Sequence, residues 1–135
     1  MAYKIEEIEG VGGVYGEKLN AAGIKTTEDL LNKCAKKAGR VKLAEETGIS
    51  EKLVLRWTNH ADLFRIKGVA GQFAELLEAS GVDTVKEFRH RVAANLQPKM
   101  EEVNNAKNLC NRVPSVKEVE KMIEQAKTLD PMMEY

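Results

Sequence analysis

Apolar residues recur along this chain at intervals of three and four, the spacing of a helix that buries one face, and no strand-like alternation of useful length appears. Val14, Tyr15, Leu19 and Ala22 mark one stripe, and Phe73, Leu76, Leu77 and the small Ser80 mark a second. Further stripes run through Val54 and Trp57, through Met100, Val103, Ala106 and Cys110, and through Val119, Met122, Ile123 and Ala126. Stop and start signals separate them. Gly23 and Gly81 stand where a helix ends in a left-handed residue. Thr84-Val85-Lys86-Glu87 and Ser115-Val116-Lys117-Glu118 read as capping boxes, and Thr26-Thr27-Glu28-Asp29 is close to one. Asn95-Leu96-Gln97-Pro98 predicts a break ahead of a helix over 99–109, and Asp130-Pro131 predicts the end of the last helix. The fold class predicted is all-α.

The first two stripes belong to a duplication. Ile8 to Leu31 and Ile66 to Arg89 align without a gap at an offset of 58 residues, with nine of 24 positions identical, which marks an internal repeat. Each copy carries a short glycine turn, Gly10-Val11-Gly12 or Gly68-Val69-Ala70, then a helix, a Gly stop and a threonine-capped helix. Glycine suits such a turn because it adopts left-handed dihedrals without a steric penalty.

GVGGVYGEKLNAAGIKTTEDLL and GVAGQFAELLEASGVDTVKEFR resemble the helix-hairpin-helix motif, a Gly-hydrophobic-Gly hairpin between two helices. The longer run from about Ile5 to about Ala126 is similar to an uncharacterised family of tandem helix-hairpin-helix proteins, classed as a domain of unknown function. The resemblance implies a duplicated helix-hairpin-helix (SAM-like) helical domain with extra connecting and C-terminal helices. It divides the chain into 1–65, the first half with a connector helix pair, and 66–135, the second half with the C-terminal helices, joined as one compact unit.

At 135 residues the chain is long enough to bury a core without disulfide or metal staples. Cys34 and Cys110 are far apart and lack metal-ligand spacing, so they read as two idle thiols. No apolar run approaches a membrane span, and the start of the chain is no signal-peptide core, so a cytoplasmic location is expected.

Lysines and arginines number 21 and so do aspartates and glutamates, which excludes a global positive field. Two local clusters stand out. Lys33, Lys36, Lys37, Arg40 and Lys42 run without an acid among them, and Lys86, Arg89, His90 and Arg91 occupy the matching place in the second copy. Cations at a helix C-terminus also stabilise the helix, so a solvated helix end accounts for them equally.

In helix-hairpin-helix proteins that bind DNA, amide groups after the hairpin grip phosphate without reading sequence, and the resemblance implies that role for Gly10, Gly12, Gly13 and for Gly68, Ala70, Gly71. The lysine or arginine usual just inside the second helix of such motifs is missing from both copies. Glu6, Glu7 and Glu9 flank the first turn, whereas Arg65 and Lys67 precede the second, so the second is expected to be the better phosphate site. Glycines serving only a tight turn remain the plainer account.

Between the copies, Gly39 to Trp57 resembles a helix-turn-helix with Gly48 in the turn, Ser50 as cap and Ser50, Glu51, Lys52 and Arg56 toward a groove. The same spacing serves any two packed helices joined by a Gly turn, and a connector pair with Trp57 in the core is the expected form. His60 and His90 are solitary, and no nucleotide loop, nucleophile elbow or metal motif appears, so no enzyme activity, cofactor or metal is expected. The function expected is a non-catalytic module that binds the nucleic-acid phosphate backbone, DNA foremost, without sequence specificity. The alternative is a protein interaction or scaffolding module, including self-association.

Overall fold

The computed structural model describes residues 3–135. A 3-10 turn, Ile5–Glu7, leads into α1 (Gly12–Ala21), α2 (Thr27–Cys34), α3 (Lys37–Thr47) and α4 (Glu51–Leu63). After the second glycine turn come α5 (Gly71–Ala79), the single turn α6 (Val85–Phe88), α7 (Ala93–Lys107) and α8 (Val116–Thr128). Among the described residues there is no strand, only an isolated antiparallel bridge between Lys4 and Thr26.

The duplication is written into the backbone. Ile24 N–H donates to Leu19 O at 2.9 Å, and Val82 N–H donates to Leu77 O at 2.8 Å, closing α1 and α5 alike. Gly23 and Gly81 hold φ of +87° and +96° at those ends, where a β-carbon would clash with the backbone. Val11 and Val69 each donate three residues back, to Ile8 and Ile66, at 3.2 and 3.1 Å. Thr26 and Thr84 cap the next helix by accepting from Asp29 and Glu87.

The copies diverge in what precedes the glycine turn. In the second copy it is α4, thirteen residues long; in the first it is a 3-10 turn of three. The capping boxes also exchange places. Thr26 and Asp29 form the complete reciprocal box, whereas only the threonine half is present at Thr84. The Glu87 carboxylate turns instead toward Arg91, at 3.5 Å.

Pro98 does not break a helix but lies inside α7. Proline removes the hydrogen bond to the carbonyl four residues earlier. That residue, Ala94, is exposed, while Ala93, Leu96 and Met100 anchor both sides of the proline in the core. Asn108, left-handed at φ 52°, ends the helix.

One apolar cluster runs through both copies, with Ile5, Leu19, Leu30, Leu43 and Trp57 from the first part of the chain and Leu77, Phe88, Leu96 and Ile123 from the second. Each such side chain contributes roughly 1.5–3 kcal/mol on burial. Trp57 is fully buried, as expected of a core residue, and its ring tilts against Tyr15 at 5.1 Å between centroids. The bend between α2 and α3 is tight enough that a β-carbon on Gly39 would collide with the Lys33 carbonyl.

Beyond α8 the chain folds back across the first copy. Met133 is buried, Glu134 N–H donates to Ala35 O at 2.8 Å, and the Tyr135 hydroxyl donates to Asn59 Oδ1 at 3.1 Å. Arg40 secures this strap. Its guanidinium donates to the carbonyls of Cys34 and Ala35 at the end of α2 and to Glu134 O, at 2.9, 3.0 and 2.9 Å.

Candidate nucleic-acid interface

The two glycine turns are not equally open. Gly10, at φ +93°, faces the Trp57 indole nitrogen, which lies 3.6 Å from where its β-carbon would be and has no hydrogen-bond partner. Gly12, at φ +62°, and Gly13 have empty space where side chains would go, and Val14 beside them is 72% exposed. Nothing caps the first turn of α1 through a side chain. Glu6 packs on Gly16 of the same helix, so acid stands close by.

The second turn is engaged in part from within the protein, although Lys67 and Gly68 are exposed. Lys67 N–H is satisfied by Gln125 Oε1 of α8 at 3.0 Å, and Met122 of α8 lies over Gly68. A β-carbon on Gly71, φ +43°, would sit 3.6 Å from Glu7 O and 3.9 Å from Glu9 Oε1. The start of α5, with Ala70 as its N-cap, therefore already faces a carboxylate of the first copy. A carboxylate at a helix N-terminus meets the same donors and dipole that attract phosphate.

Several of the cations singled out in the sequence are committed within the molecule. Arg65 donates to the buried Asp62 carboxylate at 2.8 Å and to Asp130 O at 2.7 Å. Arg91 holds Gly81 O at 3.1 Å and approaches Glu87. Lys33 pairs with Glu46 at 3.3 Å, and Lys36 reaches Glu134 only at 4.0 Å. Arg56, from the helix-turn-helix resemblance, pairs with Glu78 at 3.1 Å and packs α4 on α5 instead. Arg65 thus has both terminal nitrogens engaged, whereas Arg91 engages only Nη1. Among the described residues Lys37, Lys67 and Arg89 make no ion pair or side-chain hydrogen bond, and Arg89 is half-buried.

What the fold does bring together centres on Tyr135. Tyr135 as a residue is 68% exposed and borders two grooves. The first, about 340 Å³, is lined by Lys37, Arg40, Glu51, Lys52, Leu55 and Tyr135. The second, about 460 Å³, includes Asp83, Lys86, Glu87 and His90. The basic clusters that occupy matching places in the repeat thus each contribute to a groove along the same ring.

Charge distinguishes the grooves. The second sets Lys86 and His90 against Asp83 and Glu87. The first holds three cations and one acid, and one of those cations is unusual: Arg40 is 5% exposed and meets only carbonyl oxygens, with no carboxylate paired to it among the described residues. Its charge meets the carbonyl oxygens at the negative C-terminal end of α2 and lines the groove without an ion-pair partner. Its central carbon lies 5.7 Å from the Tyr135 ring centroid, in cation–π range.

His60 and Glu78 form a polar contact between α4 and α5. His60, without solvent exposure, places Nε2 3.2 Å from Glu78 Oε2, in ion-pair range but outside hydrogen-bond geometry. Burial opposes ionisation of Glu78, but the His60 imidazole and Arg56 outweigh it and hold the carboxyl below its ordinary range. Asp83 moves the other way, raised by burial and by Glu78 and Glu87. Burial pushes the Cys34 thiol up to about 11. Both cysteines are free, and no group of three or more His, Cys, Asp or Glu among the described residues is placed to hold a metal ion. No described helix is long and apolar enough to cross a membrane.

A family model, Domain of unknown function (DUF4332), matches residues 9–129, which is most of the chain. The chain belongs to the DUF4332 family. The match spans both glycine turns and all eight α-helices of the DUF4332 fold described above, while Tyr135 lies beyond it. No curated protein and no solved structure matches the chain.

Sequence reasoning missed Tyr135 and Asn59 altogether. Tyr135 follows Asp130-Pro131 in a short tail without periodicity, so no local pattern marked it.

Proposed function

We propose that this DUF4332 protein is a non-catalytic module that holds the phosphate backbone of nucleic acid without reading its sequence. The observation that supports it is the first groove, where Lys37 and Lys52 stand unpaired beside a buried Arg40 that makes no ion pair. Lys36 and Lys37 also sit at the start of α3, the positive end of its dipole, with no acid in its first turn. That placement disfavours the isolated helix and favours an anion. On this reading the contact lies on the lysines of the groove and not at the second glycine turn, where Gln125 already accepts from Lys67 N–H. The protein works in the cytoplasm on this reading, in keeping with its two free thiols.

The test is an anisotropy titration of labelled nucleic acid, duplex and single-stranded, at two salt concentrations. Affinity is expected to fall steeply with salt, and the double variant Lys37→Ala/Lys52→Ala to bind more weakly with a salt slope reduced by roughly two. Affinity indifferent to salt, or no binding at low salt, overturns the reading.

A protein-interaction role is favoured by one observation, Val14 standing 72% exposed beside the open Gly12 and Gly13. It predicts self-association that persists at high salt in sedimentation and is lost in Val14→Glu. A monomer at all concentrations counts against it.

A further inference from the structure

Tyr135 gives the groove a second kind of contact. It is the only aromatic residue among the described exposed large hydrophobic side chains; Trp57, Phe64 and Phe88 are buried and the other rings half-buried. Exposure of a ring at the end of a tail ordinarily accompanies disorder, yet this ring is fixed at three points. Its hydroxyl is held by Asn59, its neighbour Glu134 is pinned to Ala35 and Arg40, and the Arg40 guanidinium lies against its ring. Ordering an exposed aromatic side chain loses conformational entropy, and the ring gains little burial in return.

From this arrangement we infer that the groove binds single-stranded nucleic acid in preference to duplex, with a base stacked on Tyr135 and the adjoining phosphates on Lys37 and Lys52. This rests on the backbone-binding reading above and adds the polymer's form. A base offers its π-face to a side chain only when it is unstacked, and a duplex keeps its faces covered. A rigid ring bordered by unpaired lysines is the pairing of stacking platform and charged track that single strands require. Arg40 deepens the positive field under the same ring.

The same titration decides it, with a short oligothymidylate, an oligouridylate and a duplex at low salt. Both single strands are expected to bind about tenfold more tightly than the duplex, and Tyr135→Ala to lose about that factor on single strands only. Tyr135→Phe keeps the ring and binds single strands like the parent, whereas Tyr135→Leu fills the space without a π-face and behaves like Tyr135→Ala. A preference between the two oligonucleotides supports the stack and identifies DNA or RNA as its source. Duplex binding as tight as single-strand binding, or single-strand binding unchanged in both Tyr135→Ala and Tyr135→Leu, overturns the inference and leaves the backbone-binding reading intact. Failure to bind any of the three at low salt ends both.

Discussion

Asp62 accepts the backbone N–H of Val85 at 2.8 Å, doing in the second copy what the carbonyl of Tyr3 does for Thr27 in the first, also at 2.8 Å. Thr27 and Val85 are 58 residues apart and equivalent in the repeat. In the first copy an extended segment runs alongside and supplies a backbone acceptor; in the second that place is filled by the end of α4, whose carbonyls are used within the helix. A carboxylate takes over. It is 1% exposed and is balanced by Arg65 at 2.8 Å.

Removing that carboxylate leaves a buried amide and a half-buried guanidinium without their partner. Asp62→Ala is expected to lower the unfolding free energy by about 2–4 kcal/mol, and Asp62→Asn by less, since its amide oxygen still accepts from one donor. Urea unfolding of the three proteins measures this. A loss under about 1 kcal/mol for the alanine variant contradicts the assignment.

Two glycines separate steric need from convenience. Gly39→Ala forces a carbon into the Lys33 carbonyl, an atom fixed by the end of α2, and is expected to destabilise by several kcal/mol or prevent folding. Gly13→Ala meets open space in the first turn of α1 at negative φ, and is expected to stabilise by about 0.5–1 kcal/mol. Thermal melts of the pair should move in opposite directions.

Acid should act through Glu78. Its carboxyl titrates lower folded than unfolded, so ionisation stabilises the fold above the ordinary value of 4.5, and that contribution disappears as pH falls through the folded value. Asp83 has the opposite sign: its carboxyl titrates above 3.8 when folded, so ionisation opposes folding at neutral pH. Urea midpoints followed from neutral pH down to about 3 should show a shallower acid decline in Glu78→Gln than in the parent. Asp83→Asn should raise the midpoint at neutral pH and bring no gain at the acid end.

The thiols provide a test of packing. Cys34 is fully buried with its thiol pushed up to about 11, and Cys110 is half-buried and also raised. A thiol reagent at mildly alkaline pH should label Cys110 slowly and Cys34 only on unfolding, since the thiolate is the reacting form. Rapid labelling of Cys34 in the native protein contradicts the packing of α2.

Local signals in the sequence carried most of the fold. The left-handed stops at Gly23, Gly48 and Gly81, the caps at Thr26, Ser50, Thr84 and Ser115 and the stripe around Trp57 all depend on residues within one or two turns of each other, which periodicity and capping rules address directly. Pro98 misled because the rule for proline is local, while the anchors that keep α7 continuous, Leu96 and Met100, draw their hold from other helices. The candidate site was the least legible part. What borders Gly68 is set by Gln125 and Met122 of α8, and what holds Arg65 includes the carbonyl of Asp130, contacts between residues that no spacing rule connects. The basic clusters were visible as composition; that both border Tyr135 is a product of the tail's return.

That return also bears on how the molecule is made. Helix α2 is tied at its first residue by the N-terminal segment, through Tyr3 and Thr27, and just past its last by the closing tail, through Ala35 and Glu134. A chain still emerging from the ribosome can form the glycine turns and caps early, but it leaves α2 open at one end until Glu134 has emerged. Helix α2 is thereby locked only after α8 has been made, and maturation of the first copy waits on residues beyond that helix.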